Sequence, residues 1–425
     1  MKKHLSSIFS TFLVATMIIM CAAVLGYACL IAVYNLPTQS IRENALKSTQ
    51  TFLKRGDIYV WPKNIAGNKI DNYTSALMLN MASFPSLYPA YKEALLNPYI
   101  KYNSTSRAAE LFYATQENNP PKEIITYYAR YWHGYLIFIK PLLTFNDIIQ
   151  IRIINAFFQI ILLLCTLYLI YKRLNIKHVL AFLVAVLFLN PISTALSPHY
   201  GSAYIIMLTV VSSLLIKQEK LKTWQIFLLS GILTAYFDLL TAPLITLGFP
   251  LVIQTLLQKT NFKKDLSKIL SYSAAWGYGY YGMWLTKWLL ATSLTDENII
   301  RDGFKNAINR TLEQGTQNSW KFSLVLKNNI AEFWYSSSLL IILIFLLLIC
   351  LSYFIKKYRL TRDYRAILLL FVGCYPFFWY AIMINHSIIH PLLSYRAMTI
   401  TIYTLATAII VCLQTITKKG ISKKI

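Results

Sequence analysis

The sequence predicts an all-α polytopic membrane protein, with about ten transmembrane helices and a long exoplasmic loop after the first. Three observations predict it. Residues of the set AVILMFWYC make up 56 % of the 425, and mean hydropathy is +0.48. Charged residues are only 14 %, where a soluble domain carries about 25 %, so there is too little polar surface to cover a water-facing globule. The 41 Lys+Arg, set against 17 Asp+Glu, recur in alternate short loops, as the positive-inside rule requires.

The elements follow in order. A span needs about 20 apolar residues, and runs of that kind lie at about 9–34, 147–171, 178–194, 200–216, 223–238, 241–257, 268–291, 336–356, 366–385 and 397–416. The first follows Lys2-Lys3-His4 and exceeds a secretory h-region, so residues 1–34 read as a signal-anchor helix. Residues 35–146 form an exoplasmic loop of domain length. Its end, Gly134 to Phe145, is apolar but too short to span and reads as a helix lying on or dipping into the membrane. Residues 147–425 form the multi-span bundle, with a second exoplasmic loop at 292–335. There Ile299, Ile300, Phe304, Ile308 and Leu312 share one helical face.

Basic residues gather after the second, fourth, sixth, eighth and last spans, while the alternate short loops hold only Arg396. Both termini are therefore expected in the cytoplasm, at the plasma (inner) membrane. The charge of +24 is topological, and nucleic-acid binding is excluded. All acidic residues except Glu219, Asp265 and Asp363 fall on the exoplasmic side or its membrane edge, as do four of the six histidines. The six cysteines lie in apolar runs, which argues against a disulfide framework.

Soluble-enzyme motifs are absent. Gly277-Tyr278-Gly279-Tyr280-Tyr281-Gly282 matches a dinucleotide fingerprint but sits inside a predicted span, where small residues serve close helix approach instead. Asp57 and Asp71 are the candidate catalytic carboxylates. Asp71 precedes a helical run from Ser75, so it can cap that helix, act as a general base, or do both. At the exoplasmic end of the bundle, Arg152 and Asn155 share one helix face and Asp238 ends the fifth span. An Arg152–Asp238 salt bridge is the alternative to a binding role for those two. Lys287 is expected to snorkel to the interface. His386, His390 and Arg396 fill the short loop before the last span, and His133 lies where the first loop returns to the membrane. A metal site is not expected: His390 precedes Pro391, which disfavours helical pairing with His386, and no acid or cysteine is near. Tyr127, Tyr128, Tyr131, Trp132 and Tyr135 read as an interfacial aromatic belt or a sugar-stacking surface.

A cytoplasmic N-terminus, one span and a long outer loop with Asp57 and Asp71 near its start resembles integral-membrane glycosyltransferases of the GT-C superfamily, distantly and of bacterial surface-polysaccharide type. Asp71 is followed by Asn72, so the adjacent acidic pair of many such enzymes is missing. The resemblance implies transfer of a sugar from a polyprenyl-phosphate-linked donor to a saccharide or lipid-linked acceptor on the exoplasmic side. Asp71 or Asp57 would be the base, with Arg152, Asn155, Asp238, His133, His386, His390 and Arg396 placed to bind substrate. The sequence assigns no cofactor. A transporter or flippase of lipid-linked saccharides, or a surface-polysaccharide polymerase, are the competing readings. Few charges lie deep in the spans, which disfavours a flippase, and a polymerase would carry its large loop later in the chain.

Overall fold

A computed structural model describes residues 2–62, 68–104, 106–216, 221–311, 322–334, 358–360 and 362–415. Helices dominate. α1 (Lys2–Tyr34) leads into α2 (Thr38–Arg55), and a hairpin of β1 (Ile58–Val60) and β2 (Lys69–Asp71) feeds α3 (Asn72–Ala82). Next come α4 (Ala90–Leu96), β3 (Pro98–Ile100), α5 (Arg107–Gln116), β4 (Ile125–Tyr127), antiparallel to β3, and α6 (Leu136–Phe145). The bundle is α7 (Ile148–Arg173), α8 (Ile176–Phe188), α9 (Pro191–Leu196), α10 (Pro198–Leu215), α11 (Thr223–Phe237), α12 (Ile245–Leu257) and α13 (Phe262–Leu294). It closes with α14 (Ile299–Thr311), α15 (322–334), α16 (Arg365–Gly373), α17 (Tyr375–Ile382), α18 (Ile384–Ile389), α19 (Pro391–Ser394) and α20 (Thr399–Cys412).

Among the described residues, five helical stretches are long and apolar enough to cross a membrane: Phe9–Tyr34, Ile148–Arg173, Pro198–Leu215, Arg365–Ile382 and Pro391–Cys412. This is the make-up of a multi-pass membrane protein. Three further expected spans correspond to α8, α11 and α12, of 13, 15 and 13 residues, shorter than the usual ~20. The expected span at 178–194 is cut where Asn190 turns left-handed and Pro191 starts α9. α13 has 33 residues and the length to cross, but it is less apolar. The run 336–356 lies outside the described residues.

Small residues set the tightest packing. A Cβ on Gly231 of α11 would strike the Trp276 carbonyl, and one on Gly279 of α13 would strike that of Leu228, so these two glycines let the backbones touch. Gly277, two residues away, faces open space. The false dinucleotide motif is thus half helix-packing surface.

The loop domain is fastened to the bundle. Gly134 N–H donates to Tyr236 O (2.8 Å) and Trp132 Nε1 to Met283 O (2.6 Å). Tyr131, Trp132 and Tyr135 are buried, so these members of the aromatic run are joint packing rather than a surface belt. Lys287 is fully buried and does not snorkel. Its ammonium donates to Ala94 O and Asn97 Oδ1, both at 3.0 Å, and lies 5.4 Å from the Trp132 ring centroid. α6 packs among α1, α2 and α3, with Lys140 buried and donating to Ala82 O at 2.8 Å.

Candidate functional site

The β1–β2 hairpin brings the backbones of Asp57 and Asp71 side by side. Ile58 pairs with Asp71, so Asp57 sits beside the start of α3. The Asp57 carbonyl accepts the N–H groups of Asn72 (2.8 Å) and Tyr73 (2.9 Å), two of the helix's unpaired first-turn donors. The Asp57 carboxylate is half-buried, and its Oδ1 is enclosed without a hydrogen-bond partner.

Asp71 is the N-cap of α3. Oδ1 accepts Thr74 N–H (2.8 Å) and Oδ2 accepts the Thr74 hydroxyl (2.7 Å). The start of α10 lies alongside, because Asp71 N–H donates to Ser197 Oγ at 3.1 Å. Pro198 begins α10, and its fixed φ suits a first turn. This puts His199 against Asp71, with Nε2 3.1 Å from Oδ2. The ring makes a close polar contact with the carboxylate there. Burial alone would raise the Asp71 pKa, but His199 and the two Thr74 donors outweigh it and hold the carboxyl below its usual 3.8.

Cations surround this pair. Arg152 of α7 is buried. Its Nη2 donates to Asn72 Oδ1 (2.7 Å), its guanidinium lies 5.5 Å from the Phe52 ring centroid, and its Nε and Nη1 have no partner. Arg396 is 2 % exposed, so it is no interfacial anchor. Its guanidinium lies 4.0 Å from the Tyr200 ring centroid and 4.9 Å from that of Tyr395, Nη1 donates to Leu392 O, and Nε is unpartnered. Tyr200 packs edge-on against His199 with centroids 4.1 Å apart, and the hydroxyls of Tyr200 and Tyr395 are also buried without partners. Buried polar atoms are nearly always paired. So many enclosed orphans in one place mark a site built to receive a polar group.

α15 covers the cluster. Lys69 of β2 forms a 2.7 Å ion pair with Glu332, and Asn329 bridges Ser387 O (3.0 Å) and the Ser394 hydroxyl (2.6 Å). His386 and His390 continue the polar strip, with ring centroids 5.1 Å apart. Burial, aided by Arg310, lowers them to about 3 and about 4, so both are neutral. Arg310 of α14 reaches His386 Nδ1 at 3.3 Å. Beyond it lies a cavity of about 360 Å³, walled by Tyr280, Trp284, Trp288, Phe304, Trp379 and Arg310 among others.

The other expected site residues are elsewhere or structural. The Arg152–Asp238 salt bridge does not form: Arg152 turns to Asn72, while Asp238 accepts from the Thr241 backbone and hydroxyl. A capped carboxylate at the end of α11 is satisfied by its own turn and needs no cation. Asn155 donates to Ala195 O (2.7 Å) and ties α7 to α9. His133 is buried between Tyr135 OH (2.9 Å) and Tyr128 O (2.8 Å), and burial pushes it down to about 3. Sequence reasoning passed over His199, Tyr200 and Arg310. Ser197-Pro198-His199 at the head of a span was the available signal for the first two. Among the described residues no group of three or more His, Cys, Asp or Glu stands together as a metal site. Comparison of the chain with protein-family models, with curated proteins and with solved structures finds no match in any of the three.

Proposed function

We propose that the protein is a membrane glycosyltransferase that moves a sugar from a polyprenyl-phosphate-linked donor to a saccharide or lipid-linked acceptor. The observation that carries the reading is an ionised, capped aspartate beside His199, enclosed with the unpartnered guanidinium N–H groups of Arg152 and Arg396. A base next to unsatisfied cations suits a reaction in which a hydroxyl attacks and a phosphate leaves. The acceptor oxygen bonds to the anomeric carbon as the bond from that carbon to the phosphate oxygen breaks. The acceptor proton passes to Asp71, and the departing phosphate is met by guanidinium N–H donors. The lowered pKa makes Asp71 a weak base that is charged at neutral pH. That is adequate where the sugar carries oxocarbenium character and the hydroxyl loses its proton late. The Thr74 backbone and hydroxyl take two of roughly four lone-pair positions on the carboxylate, which leaves room for an acceptor hydroxyl. Asp57, His386, His390 and Asn155 shape the same end of the bundle. In this reading the site faces the exoplasm, both termini are cytoplasmic, and the membrane is the plasma (inner) membrane.

The test is Asp71→Asn. Asn caps a helix about as well as Asp, so α3 and its contacts persist while the charge is lost. Loss of a general base lowers a rate by about 10²–10⁴-fold. The expected outcome is loss of glycan transfer in membranes and accumulation of the lipid-linked intermediate, with the variant folded and inserted. Near-normal transfer by Asp71→Asn would refute Asp71 as the base.

A further inference from the structure

The aromatic cavity beyond Arg310 lies where the loop domain meets the bundle: Arg130 of the first and Leu240, in the turn after α11, both line it. Spacing along α13 builds its main wall. Tyr280, Trp284 and Trp288 recur at every fourth residue, so their rings stand in a row down one helix face, with successive centroids 5.7 and 5.9 Å apart. Trp379 of α17 adds a further ring to the lining. The Trp284 indole N–H is enclosed without a hydrogen-bond partner. Such a donor is rare in a finished core, and here its residue borders the cavity.

The charged groups on the lining are two guanidiniums, those of Arg130 and Arg310. Arg130 Nη1 lies 3.5 Å from Asp302 Oδ2, and Asn306 donates to Asp302 Oδ1 at 2.8 Å and holds that carboxylate in place. Arg310 has no such counter-ion among the described residues. Its polar contact is His386 Nδ1 at 3.3 Å, a neutral ring that orients the guanidinium without cancelling its charge. Two cations against one carboxylate leave one positive charge in surplus, which a monoanion balances. The volume of about 360 Å³ is the room of roughly a dozen water-sized groups, the size of one sugar ring with one carboxylate.

Rings and guanidinium ask different things of a ligand. A sugar ring offers an electropositive C–H face, which packs over the negative face of an aromatic ring. A carboxylate accepts two parallel N–H bonds from a guanidinium fork. A hexuronate has both features, and its hydroxyls can accept the Trp284 N–H.

We propose that this cavity binds a saccharide whose ring carries a carboxylate, of the hexuronate class, with the α13 rings stacking on the sugar and Arg310 holding the carboxylate. Naming that saccharide as the acceptor deepens the transferase reading and rests on it. The binding site does not. The donor phosphate keeps Arg152 and Arg396, and His390, within electrostatic reach of both Arg310 and Asp71, links the acceptor's seat to the base.

The experiment uses the full chain in phosphatidylcholine nanodiscs and reads its tryptophan fluorescence, since Trp284, Trp288 and Trp379 line the cavity. The probes are methyl β-glucuronide, methyl β-glucoside and methyl β-glucoside 6-phosphate. The glucuronide should quench saturably, and the glucoside should need at least tenfold more for half-saturation. Arg310→Gln should bring the glucuronide to the glucoside's level and leave the glucoside itself unchanged, which also shows that the site still folds. Trp284→Phe keeps a ring but removes the donor, and should weaken both sugars severalfold. Equal half-saturation by glucuronide and glucoside, or unaltered glucuronide binding in Arg310→Gln, would overturn the carboxylate site. Tighter binding of the 6-phosphate would overturn the monoanion assignment, and no saturable quenching by any probe would overturn the saccharide site. In membranes, transfer to neutral glycans alone would overturn the acceptor role and leave the transferase reading standing. Glucuronide binding by a protein that transfers no sugar would fail the transferase reading and leave this site standing.

Discussion

Asp71 combines a structural and a chemical duty in one carboxylate, and His199 is what separates it from an ordinary cap. The cap was legible because an acidic residue before a helical run satisfies first-turn donors wherever it occurs. His199 was not, because 128 positions separate it from Asp71 in sequence and only the approach of α10 to the hairpin joins them. Arg310 was hidden for a similar reason: on an amphipathic helix with other basic residues nothing distinguishes the one that turns inward. Two buried histidines, His133 and His386, and the half-buried His390 give a pH prediction. His133, His386 and His390 have folded pKa values of about 3, about 3 and about 4, against about 6.5 when unfolded. The unfolded chain therefore takes up protons first as pH falls. Their contribution to stability is complete above pH ~6.5 and shrinks steadily from there towards pH ~4. The unfolding temperature in detergent should drop across that window, and less steeply in a His386→Gln/His390→Gln variant. A flat profile from pH 7 to 4.5 would show that these rings are solvated.

At the scale of elements, hydropathy located the long spans because lipid contact demands an unbroken apolar run. It could not locate the breaks. Asn190, Leu240 and His133 adopt positive φ, and the turn at Cys374 separates α16 from α17. Each such bend is fixed by packing around it rather than by the local run of apolar residues. The contact of α11 with α13 yields a paired prediction. Gly231→Ala drives a methyl into the Trp276 carbonyl and should cost about 1–3 kcal/mol, the usual penalty for overpacking. Gly277→Ala meets open space and should be neutral or slightly stabilising, since Ala is the better helix former. Thermal unfolding of the two purified variants compares them directly, and equal behaviour would contradict the close backbone contact.

For the whole molecule, the polar side chains collect at separate ends, and the alternation of basic loops assigns a side of the membrane to each as an expectation. Asp71, Arg152, His199, Arg310, His386 and Arg396 gather at one end. Lys259, Asp265, Asp363, Tyr364 and Arg365 gather at another. A cysteine placed at residue 101 should react with an impermeant maleimide in intact cells, and one at residue 419 only after permeabilisation. The reverse pattern would invert the topology and move the candidate site into the cytoplasm. The fastening of the loop domain to α13 carries a consequence for biosynthesis. Asn97 finds the Lys287 ammonium 190 residues later in the chain, and Lys69 finds Glu332 after 263. At about 5–20 residues per second, the ribosome needs roughly 10–40 s to deliver the first partner and longer for the second. Throughout that interval the early domain has its own helices but neither late clamp, and it is at its most vulnerable to proteolysis while the remainder of the polypeptide is still being made.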